Sequence, residues 1–472
     1  MIEKLKIKNF KSIDTIEIKF KKLNVLCGEN ASGKTSIIHA ILLCSQNNKD
    51  GKDVDGEIIK IGNYEELKNN TKNGEIKIEI SNRSVTKTIV YKRNDNPDLN
   101  QDYVLTVEPK EENNSYKFEE SIFYLASDRT GAMDTYQKGN YLFGTNGSGS
   151  ISFLHKYQEN LMNAEYMEKF KQKYKESDIV ENRKFIEHVR FWMEDITGED
   201  ISISSIDRTN QYILTYGVNK VRPINTGSGY SFLLPIVIAC LGSIIMGKEN
   251  PTIIIENPEI FLHPEAQRKL MCFLNFCKNF CQIIIETHSE HIIKNAIEGK
   301  NIDTQILVFE RNEKGYTNKN IYNGRNFKTK SYLEIIYKAF GIVVPEFHIL
   351  LYGLVQLKYN KSIGADETTI KVFDDYLNTI IDVNRKTWQH KQRNGSIVTY
   401  QTLPTYIRNK IDHPEAKNPT NNRVYNMYTE FELQESIEFL LNQLWYFSYM
   451  FITNSIIWST SIEWSWPFSM SR

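Results

Sequence analysis

The chain has 472 residues, enough for two or three domains, and an ordinary globular composition with 40% hydrophobic and 25% charged side chains. Its 58 basic and 58 acidic residues cancel. That excludes attraction of nucleic acid or membrane by overall charge and leaves any such attraction to a local patch. Six cysteines, at 27, 44, 240, 272, 277 and 281, form no C-x-x-C pair, so buried free thiols in a reducing cytosol are expected rather than zinc or disulfides.

Residues 1–20 alternate as strands do, through Ile2, Leu5, Ile7, Ile16, Ile18 and Phe20. They carry no apolar signal core, and a cytoplasmic location is expected. The apolar run 23–27 then enters Gly28-Glu29-Asn30-Ala31-Ser32-Gly33-Lys34-Thr35, and a helical run follows over 36–45. The middle fits the phosphate-cradling G-x-x-x-x-G-K-[ST]. Gly28 and Gly33 let the backbone curl so that its N–H groups face phosphate oxygens, and the helix N-terminus adds its own positive end. Lys34 is expected to neutralise the β- and γ-phosphates of ATP and Thr35 to hold Mg²⁺. The expected nucleotide ligands from the loop are Gly28, Asn30, Ser32, Gly33, Lys34, Thr35 and Ser36.

Residues 46–56 are polar and predict a loop. Alternating runs within 57–124, broken by Asn, Gly, Asp and Pro, predict an antiparallel lobe beside the nucleotide site. A charged helical insertion is expected over 151–200. A strongly apolar helix follows at 232–246. The continuous apolar runs 252–255 and 282–285 predict strands buried on both faces, joined by a helix over 265–280 in a βαβ crossover. A further strand at 306–310 and a hairpin through residues 312–315 close this region.

After residue 328 only helical patterns are evident, at 332–340, 346–359, 368–385, 402–412 and 429–451. An α/β P-loop domain over 1–328 and an all-α domain over 329–472 are therefore expected. The membrane-like stretch 440–458 holds Asn442, Gln443 and Asn454, which predicts a buried helix.

Three later motifs extend the nucleotide site. Ile253-Ile254-Ile255-Glu256-Asn257-Pro258-Glu259 has the form of a Walker B strand with acids at its end, where Mg²⁺ would sit on Thr35 and Glu256. Glu286-Thr287-His288-Ser289 ends the next apolar run, and His288 there can meet a γ-phosphate or the attacking water. Gly227-Ser228-Gly229-Tyr230-Ser231 precedes the apolar helix as a second small-residue anion cup, with Ser228, Gly229 and Ser231 as its expected ligands.

In order and spacing these motifs resemble the ABC-type ATPases of the SMC/RecF kind. They resemble above all the bacterial single-chain "AAA" ATPases related to OLD nucleases and phage-defence ATPases. The run from Glu256 to Gln267 is similar to that group's E-x-P-E-x-x-L-H-P-x-A-Q, and Tyr124-Leu125-Ala126-Ser127-Asp128-Arg129-Thr130-Gly131 to its Y-[IL]-S-A-[ED]-R-x-G. The resemblance covers about residues 1–325. It implies a head-to-tail dimer in which Gly227–Ser231 of one subunit caps ATP on the P-loop of the other. The group's common Asp-Glu pair is Glu256-Asn257 here. An amide cannot act as a base near neutral pH, so either Glu259 takes that role or turnover is slow and the protein acts as a slowly reset switch.

In the C-terminal part, Arg408 and His413 frame R-x-x-x-x-H, with Asn409 after the arginine, and Thr429-x-x-Glu432 is a capping box. This resembles the HEPN superfamily of small α-bundles, many of them metal-independent ribonucleases that pool two Arg–His pairs in a dimer. An imidazole can move the 2′-OH proton of RNA near pH 7, and a guanidinium can stabilise the phosphorane. The alternative is structural: residues five apart lie roughly 140° apart on a helix, and Arg408 with Asp412 forms an ordinary i, i+4 ion pair. Arg385, Lys386, Lys391 and Arg393, interleaved with Trp388 and His390, suit RNA phosphates and a stacked base, or a solvated loop. The Trp-rich tail (Trp445, Trp458, Trp464, Trp466) is expected to pack or to form a dimer seam.

The leading expectation is an ATPase head that gates a HEPN endoribonuclease acting on cellular RNA, tRNA included, in anti-phage abortive infection. Its expected partners are RNA, a second copy or higher oligomer, and a phage-encoded trigger or partner subunit, with no membrane. The competing reading is a RecF-type DNA-repair ATPase with an inert helical docking domain. An OLD-type DNase ranks last, because 329–472 shows no acidic strand ends.

Overall fold

The computed structural model describes residues 1–456 apart from 48–55, 57, 63, 70–73, 84, 94–102, 109–121, 130–135, 138–143, 176–177, 206–210, 223–224, 226–227, 248–249, 299–301, 324–328, 381–387, 392–396 and 413–427. The chain divides into two compact units, Met1–Phe340 and Gly341–Arg472.

The first unit is built on two sheets. Strands β1 (Lys4–Phe10), β2 (Ile13–Lys19), β4 (Ile76–Ser81), β5 (Thr86–Arg93) and β6 (Tyr103–Glu108) form an antiparallel sheet ordered β2-β1-β4-β5-β6. Alternation decides its faces. Leu5, Ile7, Ile78, Ile80, Ile89, Tyr91, Leu105 and Val107 are buried together, whereas Lys4, Lys6, Glu17 and Glu79 pair on the outer face.

The second sheet contains β3 (Leu23–Gly28), β7 (Ile122–Leu125), β11 (Thr252–Glu256), β12 (Gln282–Glu286), β13 (Thr304–Arg311) and β14 (Thr317–Asn323), ordered β14-β13-β3-β12-β11-β7. All neighbours are parallel except β13 and β14. The continuous apolar runs are explained by burial on both faces. Val25, Ile253, Ile255, Ile283 and Ile285 turn to one face, where they meet the helices Phe185–Thr197, Ser228–Ile245 and Pro264–Cys277. Leu26, Ile254, Ile284 and Leu307 turn to the other face, beneath the helix Lys34–Gln46 and the antiparallel sheet. Burying each such side chain contributes ~1.5–3 kcal/mol. The six cysteines are free, and five of them are buried.

A small sheet of β8 (Tyr136–Gln137), β9 (Ile201–Ser205) and β10 (Gln211–Tyr216) flanks the helical insertion. Inside the insertion Trp192 donates to the Tyr166 hydroxyl at 3.1 Å, and His188 lies 3.2 Å from the same oxygen, among packed aromatic rings.

The second unit packs the helices Pro345–Ser362, Ile370–Ile380, Leu403–Asp412 and Glu430–Ile456 around Phe347, Leu351, Val355, Phe373, Leu377, Ile407, Ile437 and Leu440. The expected capping box forms: Glu432 accepts from Thr429 N at 2.8 Å, and Thr429 Oγ1 accepts from Glu432 N at 3.1 Å.

Three expectations are corrected. The antiparallel lobe expected over 57–124 reaches too far: Ile122–Leu125 joins the parallel sheet beside β11, because its four residues alternate into that sheet's two cores. The helix Thr329–Phe340 belongs to the first unit: Ile335 and Ala339 are buried in its core, so the compact unit ends at Phe340 and not at 328. The second unit is not all helical. β15 (Trp388–Lys391) and β16 (Ile397–Tyr400) form a hairpin, whose polar strands have no apolar run to announce them. Among the described residues no single helix is long and apolar enough to cross a membrane.

Candidate nucleotide site

β3 delivers the chain to the P-loop, and the helix starts at Lys34 with Gly33 as its left-handed cap, at φ +108°. Only glycine suits both ends of the loop. Gly28 has φ +143°, and a Cβ there would strike the Phe309 carbonyl; a Cβ on Gly33 would strike the Thr317 side chain. The loop is braced from β13 and β14. Arg311 Nε donates to Ala31 O at 2.7 Å, and Thr317 Oγ1 donates to Ser32 O at 3.0 Å. Ser32 and Ser36 are buried and Asn30 is exposed.

Lys34 is nearly fully buried, and its ammonium donates to Gly28 O at 3.0 Å and Glu29 O at 2.9 Å. Burial lowers its pKa, opposed by the charge of Glu286. Beside the loop and the β1–β2 turn opens a cavity of about 210 Å³, lined by Lys11, Ser12, Ala31, Gly33, Thr35 and Arg311 among others. A neighbouring cavity of about 290 Å³ adds Lys68, Lys314 and Tyr316. Between them the two cavities are lined by Lys11, Lys34, Lys68, Arg311 and Lys314, with Glu66 as the acid among them.

The acids stand at the C-terminal ends of β11 and β12, where Glu256 and Glu286 are register partners on one face of the sheet. Tyr124 Oη donates to Glu256 Oε1 at 2.8 Å, and Ser127 N donates to Glu256 Oε2 at 3.2 Å. Arg129, also buried, clamps the same turn. Its guanidinium donates to Ala126 O at 2.8 Å, Glu256 O at 2.6 Å and Asn257 O at 2.7 Å, and burial brings it down to about 10. The Tyr124–Arg129 motif is therefore a brace for the Walker B turn, in which Asn257 takes φ +43°.

Sequence reasoning put Thr35 with Glu256. The structure puts it with Glu286, whose two oxygens accept the Thr35 hydroxyl at 2.9 and 3.1 Å. Burial first, then the charge of Glu256, pushes Glu286 up to about 7. Strand order explains the difference, because β12 lies between β3 and β11. A second acid at a strand end, just before Thr287-His288-Ser289, was the available signal. A hydroxyl and carboxylates are hard oxygen donors of the kind Mg²⁺ takes.

Glu259 lies behind this pair, with Oε1 accepting from His288 N at 2.8 Å, and burial raises its pKa. His288 is exposed, and burial of part of its ring and the charge of Lys34 lower its pKa. The rest of the motif is structural. His263 caps the helix Pro264–Cys277 with Pro264 in its first turn. Gln267 donates to Leu262 O at 2.8 Å and accepts from Ser289 Oγ at 2.5 Å, tying the Walker B helix to the His288 loop.

Of the second anion cup, Ser228 and Gly229 begin the helix Ser228–Ile245, and Gly227 lies outside the described residues. A Cβ on Gly229 would come within 2.6 Å of Phe261 O, so the helix start packs directly on the loop after Glu259. Ser231 is buried, and its hydroxyl makes no hydrogen bond.

In the second unit, Arg408 and Asn409 lie on the helix Leu403–Asp412, and His413 lies outside the described residues. Arg408 is partly exposed and pairs with Asp412 at 2.8 Å, the i, i+4 alternative drawn from the sequence. It also donates to Asn409 Oδ1 at 3.2 Å, while the buried Asn409 donates to Thr405 O at 2.9 Å. The polar residue after the arginine thus anchors the guanidinium to its own helix. Trp388 of the hairpin stacks 6.4 Å from Tyr406 on that helix. Arg385, Lys386, Arg393 and the tryptophans at 458, 464 and 466 lie outside the described residues.

The family model described as "AAA ATPase domain" matches residues 1–138 and 60–293. The DNA replication and repair protein RecF of Clostridium acetobutylicum is 45% identical over 60 residues, 12% of this chain and 16% of that protein. RecF of Acetivibrio thermocellus is 39% identical over 61 residues, 13% and 16% of the two chains. The match thus spans about one-sixth of the length of these relatives. The Smc head domain from Pyrococcus furiosus, solved with an extended coiled coil and bound to the C-terminal domain of ScpA, aligns at 14% identity with a TM-score of 0.45, covering 71% of this chain and 99% of that one. With more than half of its length matched by the family model, the chain belongs to the AAA ATPase domain family.

Proposed function

We propose that this protein is an ATP-hydrolysing head of SMC/RecF kind whose nucleotide state controls a metal-independent RNA-cleaving C-terminal unit. The observation that carries the ATPase half is the convergence of Lys34, Thr35, Glu286, Glu256 and Glu259 at the ends of three adjacent parallel strands. The loop N–H groups and Lys34 bind the β- and γ-phosphates, with the helix N-terminus behind them. Thr35 and the carboxylates hold Mg²⁺, which neutralises phosphate charge when bound. Glu259, raised by burial and fixed by the His288 N–H, orients the attacking water and accepts its proton. His288, at the end of β12, would meet the γ-phosphate or the same water. Head-to-tail pairing with a second copy would present Ser228 and Gly229 at the start of the helix Ser228–Ile245 to the γ-phosphate, whereas Ser231 is buried within its own subunit.

For RNA, His413 takes the 2′-OH proton as the 2′-oxygen attacks phosphorus. Arg408, held by Asn409, stabilises the charge on the phosphorane, and the His413 imidazolium returns the proton to the departing 5′-oxygen. The products are a 2′,3′-cyclic phosphate and a 5′-OH. The Asn409–Arg408 contact supports this reading. The biological setting we assign is cytoplasmic anti-phage abortive infection with cellular RNA as target and a phage product or partner subunit as trigger.

The partial RecF similarity favours a second reading, a DNA-repair ATPase whose C-terminal unit is a docking module. End-mapped RNA from cells expressing wild type or His413→Ala separates the two. New 5′-OH ends that depend on His413 support the nuclease, and identical RNA profiles support the repair reading.

A further inference from the structure

We propose that Glu286, rather than Glu256, is the carboxylate that organises Mg²⁺ at Thr35; the assignment rests on the ATP-site reading above. A hydroxyl that ligates a cation offers an oxygen lone pair and directs its proton to an acceptor. At Thr35 that acceptor is already in place, with both oxygens of Glu286 at 2.9 and 3.1 Å. Glu256 is committed elsewhere, one oxygen to Tyr124 Oη at 2.8 Å and the other to Ser127 N at 3.2 Å. Both partners stand on the β7 side, away from the P-loop.

Placement gives the same answer. Glu256 and Glu286 are register partners, so their side chains leave the same face of the sheet one strand apart, about 4.8 Å. β12 adjoins β3, and β11 does not. The carboxylate on β12 is therefore one strand nearer the hydroxyl. Glu256 supplies charge from the next strand, and the Tyr124–Ser127–Arg129 brace fixes its distance. The Walker B label and the metal-organising role thus fall on different strands.

The test is Mg²⁺ titration of binding of a fluorescent ATP analogue to the purified full-length protein, with thermal melts and binding in EDTA as fold controls. Glu286→Gln should raise the Mg²⁺ concentration at half-maximal binding by about tenfold or more. Glu286→Asp keeps the charge on a shorter arm and should fall between the two. Glu256→Gln should shift the Mg²⁺ midpoint less than Glu286→Gln does. A shift for Glu256→Gln that equals or exceeds that of Glu286→Gln overturns the assignment. So does a Glu286→Asp protein that folds and titrates like wild type alongside an unfolded Glu286→Gln. Analogue binding that Lys34→Ala leaves intact overturns the ATP-site reading itself, and this assignment with it. Lys34-dependent binding with an unmoved Mg²⁺ midpoint in Glu286→Gln removes this assignment alone.

Discussion

The Thr35 hydroxyl donates to Glu286, a residue of the strand that separates the P-loop strand from the Walker B strand. The contact joins the first turn of the P-loop helix to a strand end some 250 positions later in the chain. It makes the candidate site a three-strand arrangement: β3 leads into the P-loop, β12 carries the acceptor for the Thr35 hydroxyl, and β11 carries the braced Glu256 with Glu259 beyond it.

Lys34→Ala should lower ATP turnover by on the order of 10²-fold or more, because Gly28–Thr35 carries no other basic side chain to neutralise the phosphates. Steady-state phosphate release measures it. Undiminished turnover would contradict the P-loop assignment.

Glu259→Gln should leave nucleotide binding within a few-fold of wild type and slow hydrolysis by roughly 10²–10⁴-fold, the usual worth of a positioned base. Single-turnover hydrolysis separates the two effects. Equal rates for variant and wild type would remove Glu259 from the chemistry.

Arg129→Ala should destabilise the first unit by on the order of 3 kcal/mol, since three carbonyls lose a charged donor at a buried turn. Tyr124→Phe, which removes only the Glu256 bond, should cost less. Denaturant melts that place the two variants in the opposite order would contradict the clamp.

His348 tests the second unit by pH. It is fully buried, its Nε2 lies 2.9 Å from Ser436 Oγ on the helix Glu430–Ile456, and burial lowers it to about 3. A depressed pKa means that the folded state refuses the proton that the unfolded chain accepts below about 6.5. Its contribution is therefore complete above pH 6.5 and is lost as pH falls towards 3, a loss on the order of 3–5 kcal/mol. His348→Gln should show a flatter stability profile between pH 7 and 4. Parallel profiles for the two proteins would contradict this reading.

Much of the candidate nucleotide site was legible in the sequence because its signals are local. The P-loop is eight consecutive residues, and the strands at 252–256 and 282–286 announce themselves by unbroken apolar runs. Glu286 was missed because its role depends on strand order, which no spacing along the chain encodes. The Tyr124–Arg129 motif was recognised as a pattern, but its use as a brace follows only from β7 joining the parallel sheet. In the second unit the capping box at Thr429 was legible as a four-residue signal. The hairpin at 388–400 was not, since its strands are polar and short. Arg408 illustrates both sides: the i, i+4 pair with Asp412 follows from helix geometry alone, whereas its support by Asn409 needs the buried position of that amide.

The central claim is that the nucleotide state of the P-loop controls RNA cleavage by the C-terminal unit. The direct measurement is cleavage of total cellular RNA by purified wild type, Lys34→Ala and His413→Ala proteins, each with and without ATP and Mg²⁺. The account predicts cleavage by wild type that changes with ATP, cleavage by Lys34→Ala that no longer responds to it, and a loss of roughly 10²–10⁴-fold in His413→Ala with ATP turnover retained. Cleavage by His413→Ala at the wild-type rate, or identical nucleotide responses in wild type and Lys34→Ala, would contradict it.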